Sequence, residues 1–168
     1  MFRENQKEHL ILIPAVRDDP PHKFSHVRFQ NGTLCRWNRP LLGSDYDGHV
    51  HLRIEHRVAP AGPTIEDSIA NSALYFGLVR GLSEQARRID EMLPFETARE
   101  NFYTAARYGM NARLRWPTGN GLVDVPLRTL MFHTLLPLAR RGLEAQEIPA
   151  DEIDRYIGVI EARIDSGQ

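Results

Sequence analysis

The stretch His49-Val50-His51-Leu52-Arg53-Ile54-Glu55-His56-Arg57-Val58 carries the reading of this chain. Taken as a strand, it sends alternate side chains to opposite faces. Val50, Leu52, Ile54, His56 and Val58 share one face, which suits a core beneath helices. His49, His51, Arg53, Glu55 and Arg57 share the other, so a carboxylate stands between two guanidinium groups, with same-face neighbours about 6 to 7 Å apart. Two readings of that charged face stay open. One is a solvated sheet face laced with ion pairs. The other is a site in which Glu55 offers a hard oxygen to Mg²⁺ and Arg53 and Arg57 hold anionic groups, as phosphoryl transfer requires.

Outward from this strand, the chain divides in two. From about Leu10 to Val58 the apolar residues follow a period of two broken by turn residues, and from Thr64 onward they follow a period near 3.6. An α+β chain is expected, with an antiparallel sheet over about 9–58 packed by helices over about 64–166, in a single domain. Leu10-Ile11-Leu12-Ile13 is a short strand candidate. His26 to Gln30 and Thr33 to Trp37 flank Asn31-Gly32, the dipeptide that best accepts a type I′ turn, which predicts a hairpin. Thr64 reads as a helix N-cap with acidic residues behind it, and Ile65, Ile69, Ala73, Phe76 and Val79 predict the face laid on the sheet. Further helices are predicted over Phe95 to Tyr108, ending at Gly109, through Leu127, Leu130, Met131, Leu135 and Leu138 after a turn at 118–121, and from Ala150 to Ile164.

With 168 residues, 42% of them hydrophobic and 26% charged, the chain is long enough to bury a core and is neither disordered nor fibrous. No apolar run is long enough for a membrane span, the first residues are not a signal peptide, and the lone Cys35 accords with a reducing compartment, so the cytoplasm is expected. Nineteen of the 21 basic residues are Arg. Coding bias explains most of that; some arginines are candidates for bidentate forks on phosphate or carboxylate. A net charge of -1 argues against a nucleic-acid partner. The seven histidines show no zinc-ligand spacing, Cys35 reads as a buried small hydrophobe, and Trp37 is open to packing or to stacking on an adenine. The charged run Glu84 to Arg88 reads as a solvated helix face.

Three stretches together carry a resemblance: Asn31-Gly32-Thr33-Leu34-Cys35-Arg36-Trp37-Asn38-Arg39-Pro40-Leu41, then His51 to Arg57, then Glu100-Asn101-Phe102-Tyr103-Thr104-Ala105-Ala106-Arg107-Tyr108-Gly109. The second resembles the R-x-E-x-R strand of the glutamine synthetase fold, and the whole is similar to the bacterial glutamate-cysteine ligase family 2, the carboxylate-amine ligases. The resemblance implies a partial glutamine synthetase-like catalytic domain that binds ATP and Mg²⁺. Glu55 would hold the metal, Arg57 and Arg53 would serve catalysis as anion contacts, and Arg36, Asn101, Arg107 and His51 would bind substrate or ATP. It implies that ATP phosphorylates a glutamate-like carboxylate and that an amino acid or amine attacks the acyl phosphate. It covers about the second half of the family pattern, so the chain is expected to be a C-terminal fragment, inactive by itself, that forms a homo-oligomer or pairs with an N-terminal portion supplying further acidic ligands. A non-catalytic assembly or partner-binding module and a nucleotide-binding regulator are the other readings.

Overall fold

The computed structural model describes residues 7–9, 18–34, 37–59 and 62–167. They fall into two compact units, Met1–Pro60 and Ala61–Gln168. The secondary structure is mixed helix and strand, as an α+β chain requires, but the strands form two separate two-stranded antiparallel sheets, one in each unit.

In the first unit a 3₁₀ turn at Pro21–Lys23 leads into helix α1, Ser25–Thr33, followed by β1, Asn38–Ser44, and β2, Val50–His56. The hairpin expected around Asn31-Gly32 is therefore corrected: those residues close a helix. Asn31 is buried and its amide donates to the carbonyl of Pro40, while the Thr33 hydroxyl donates to the carbonyl of Gln30 at 2.8 Å. Side-chain bonds to the backbone thus occupy the pair that a two-residue turn would have used. The strand expected over His49 to Val58 is present as β2, paired to β1 in the register Asn38↔His56 through Ser44↔Val50. Its apolar face departs from expectation, because Val50, Leu52 and Ile54 are exposed, Leu52 to 62%. The candidate strand at Leu10 to Ile13 lies outside the described residues.

The second unit opens with α2, Ile65–Ser83. Thr64 caps it as read: its hydroxyl oxygen accepts from Asp67 N–H at 3.1 Å, and its own N–H donates to Asp67 Oδ2 at 3.1 Å. The Thr64 hydroxyl also donates to that carboxylate at 2.6 Å, which holds the Asp67 pKa below its ordinary value, helped by Arg163 nearby. Replacing Thr64 with alanine is expected to cost about 1 kcal/mol, read as a lower urea midpoint that Thr64→Ser largely restores. A carboxyl with a depressed folded-state pKa contributes stability above its ordinary pKa and loses it as pH falls through the depressed value. The difference between Thr64→Ala and the parent should accordingly narrow in acid below that range.

The apolar stripe assigned to α2 needs correcting. Ile65 is 81% exposed, and Ile69, Phe76 and Val79 are exposed too, leaving only Ala73 of that stripe packed against the core. Its buried face is the small-residue one, Ala70, Gly77 and Gly81, and it packs on helices rather than on a sheet. Those helices are α6, Leu136–Glu144, and α7, Ala150–Ser166. From α7 the residues Ile153, Ile157, Ile160 and Ile164 recur at spacings of four and three, so they form one stripe against Ala70, Leu136, Ala139 and Leu143.

Between α2 and α6 lie a short helix α3, Ile89–Met92, the helix α4, Phe95–Tyr108, a hairpin of β3, Arg113–Thr118, with β4, Gly121–Pro126, and the helix α5, Leu127–Leu130. Ala112, Leu114 and Leu130 form a second small core there with Trp116 and Val125. A π-helical turn, Met131–Leu135, joins α5 to α6. Pro137 explains it: proline has no N–H for the carbonyl of His133 and its ring crowds that oxygen, which a widened turn relieves. Glu84 to Arg88 is exposed as expected, but as a turn between α2 and α3 rather than on a helix face. Among the described residues no helix is long and apolar enough to cross a membrane.

Candidate functional site

The register of the first sheet decides which charges meet. On the polar face, Arg39 stands opposite Glu55, Leu41 opposite Arg53 and Gly43 opposite His51. Directly opposed residues are closer than same-strand neighbours two apart, so the carboxylate pairs across the sheet. Arg39 donates from Nε at 2.8 Å, and its Nη2 lies 2.6 Å away, both on Glu55 Oε2. The third nitrogen, Nη1, donates to the carbonyl of Gly32 at 2.8 Å, tying the sheet to the end of α1. Arg39 is thus the residue that neutralises Glu55, while Arg53 and Arg57, its neighbours along the chain, are not its partners among the described residues. Its signal is visible only once β1 is placed at 38–44: Arg39 then alternates with Pro40 as Glu55 does with Ile54.

His51 sits over Gly43, where an added Cβ would meet the imidazole ring. Its Nδ1 lies 3.2 Å from Asp45 Oδ1, and its Nε2 lies 3.2 Å from Arg53 Nη1. Arg53 can only donate, so Nε2 must accept and Nδ1 carries the proton toward Asp45. The imidazole thereby links Asp45 to Arg53 and steers the guanidinium. On the other face His56 Nδ1 meets Asn38 Oδ1 at 2.7 Å, and burial lowers the His56 pKa. Arg57 follows β2, exposed, with its N–H donating to the carbonyl of Trp37 at 2.8 Å.

A cleft of about 510 Å³ opens between α1, the turn before it and the hairpin. Lys23, Arg28 and Arg53 line it with Ser25, and among the described residues Asp19 is the one carboxylate on its wall. Lys23 and Arg28 have no ion-pair partner among the described residues. Three cations against one carboxylate make a cleft that attracts anions, and guanidinium forks suit phosphate or carboxylate oxygens.

The expected residues separate. Arg53 lines the cleft, whereas His51, Glu55 and Arg57 do not. Arg36 and Cys35 lie outside the described residues. Asn101 and Arg107 belong to the second unit. Asn101 donates from Nδ2 to the carbonyl of Arg115 at 2.8 Å and accepts from its N–H at 2.9 Å, so its carboxamide fastens α4 to the edge of β3. Arg107 is exposed on the last turn of α4, where a cation complements the helix dipole. Among the described residues no three His, Cys, Asp or Glu side chains gather as a metal-binding group. Compared with family models, curated proteins and solved structures, the chain matches none.

Proposed function

We propose that the first unit supplies anion recognition to an ATP-dependent carboxylate-amine ligase of the glutamine synthetase-like kind. The observation that carries this reading is the cationic cleft, in which Lys23, Arg28 and Arg53 converge beside a strand that also bears Glu55. The likeness of Arg53-Ile54-Glu55-His56-Arg57 to the R-x-E-x-R strand supports it. Arg53, steered by His51, would hold phosphate oxygens in the cleft. Arg57 would meet the carboxylate of the glutamate-like substrate. Glu55 would give a Mg²⁺ ion one oxygen, Oε1, because Arg39 occupies Oε2. One protein carboxylate with phosphate oxygens and water is a donor set Mg²⁺ accepts. When bound, that ion offsets the charge of the transferring phosphoryl group.

The partner-binding reading rests on a different observation. A ribbon that is two-stranded among the described residues, with an exposed apolar face of Val50, Leu52 and Ile54, is suited to pairing with another chain.

Binding of ADP to the chain, with and without Mg²⁺, tests the ligase reading, together with ADP release from ATP, glutamate and cysteine. Nucleotide binding without turnover is expected from the chain by itself. Turnover is expected once the acidic segment implied by the resemblance is supplied. Glu55→Gln should remove the Mg²⁺-dependent part of the ADP affinity, about tenfold, because one charge-assisted ligand is lost. A Mg²⁺ effect that survives Glu55→Gln would discard the metal assignment. No saturable ADP binding would discard the ligase reading and leave partner pairing.

A further inference from the structure

We infer that a second, smaller cleft within Ala61–Gln168 binds a carboxylate that carries a compact apolar body. The cleft holds about 250 Å³ and lies where the end of α2, α3, β3 and the π-helical turn meet α6. Leu82, Ile89, Met92 and Trp116 line it with apolar side chains, and Arg141 of α6 and His133 of the π turn line it with polar ones. A concave apolar site with a few polar groups is the usual form of a small-molecule pocket.

Among the arginines of this unit without an ion-pair partner among the described residues, Arg141 is the one that lines the cleft. Arg140 beside it meets Asp154 at 2.5 Å and Glu161 at 3.3 Å. Arg128, Arg155 and Arg163 likewise reach Asp165, Glu66 and Asp67. Among the described residues Arg141 has no such partner, and no carboxylate lines the cleft it faces. An unpaired guanidinium next to a paired one on the same helix, lining a cleft with apolar side chains, matches an anionic head on an apolar tail. The π turn contributes position. It widens the helix just before Pro137, and His133 and Thr134 come to line the same opening. His133 offers a donor and an acceptor, and Thr134 a hydroxyl, to the second carboxylate oxygen. This inference is independent of the ligase reading, since every residue it uses lies in the second unit.

The test uses the full chain carrying Trp37→Phe, so that Trp116 is the remaining tryptophan and reports the cleft by fluorescence. The probes are 4-methylpentanoate and its neutral amide, which share a tail and differ in charge. A saturable change with the acid is expected, with the amide about tenfold weaker. Arg141→Met should bring the acid to the level of the amide while leaving amide binding unchanged, a result that loss of structure would not produce. Arg141→Gln is the second variant, and an unchanged thermal midpoint certifies both. Equal affinity for acid and amide, an unsaturable response, or a preference that survives both substitutions would each overturn the inference.

Discussion

Gly142→Ala is expected to destabilise the second unit by about 3 kcal/mol, read as a fall in the urea midpoint with the slope unchanged. The site is the crossing of α2 and α6. A Cβ at Gly142 would run into the carbonyl oxygen of Gly77 and would stand 2.7 Å from the amide nitrogen of Gly81. A Cβ at Gly81 would in turn stand 2.6 Å from the carbonyl oxygen of Leu138. These are backbone atoms of two helices, so no rotamer change relieves the contact. The helices must part, and the layer of Ala70, Leu136, Ala139 and Leu143 opens with them. Gly158 in α7 is the control, because an added Cβ there meets nothing within 4 Å. Gly158→Ala should stabilise by about 0.5 to 1 kcal/mol through helix propensity and a less flexible unfolded chain. Opposite signs at two helical glycines are the signature of the close crossing. Similar small shifts at both would mean that α2 and α6 do not approach as closely as the backbone contacts require.

That crossing also marks where reading the sequence fell short. The α2 helix itself was legible, from Thr64 and Asp67 at its start and the 3.6-residue period that follows, but its buried side was not. Hydrophobic spacing selected Ile65, Ile69, Phe76 and Val79, whereas close helix packing selected Ala70, Gly77 and Gly81, which carry little hydrophobic signal. Helices α4 and α7 were legible for local reasons: Gly109 ends one, and the isoleucine stripe from Ile153 to Ile164 fixes the other. Only the turn of the second hairpin was read at 118–121, because Pro117 and Pro126 and the arginines of β3 blur the strand pattern on either side. The helix α1 was hidden by a strong local turn signal that long-range bonds overrode, the amide of Asn31 to Pro40 and Arg39 to the carbonyl of Gly32. At the site, alternation placed Arg53 and Glu55 on one face correctly. It could not find Arg39, because a cross-strand partner depends on register and register depends on where β1 begins.

Arg53→Met is expected to weaken ADP binding about 10- to 100-fold at low ionic strength, the loss that follows when a charge-assisted contact is removed. Arg53 is the expected site residue that lines the cleft, and its guanidinium is already steered by His51. Methionine keeps the length and apolar stem that rest opposite Leu41 in the sheet, so unfolding should not confuse the result. Arg39→Met gives the contrast. It takes both nitrogen contacts from Glu55 Oε2 and the bond from the Gly32 carbonyl, so it should lower the stability of the first unit while ADP affinity changes less. The two variants remove the same charge from the same sheet face, and bulk electrostatics would treat them alike. A large affinity loss confined to Arg53→Met would therefore mark a specific anion contact. Equal modest losses that vanish as salt is added would mean that the cleft acts through its net charge alone. ADP binding as tight as the parent in Arg53→Met would remove this residue from the site and, with it, the observation that joins the cleft to the strand.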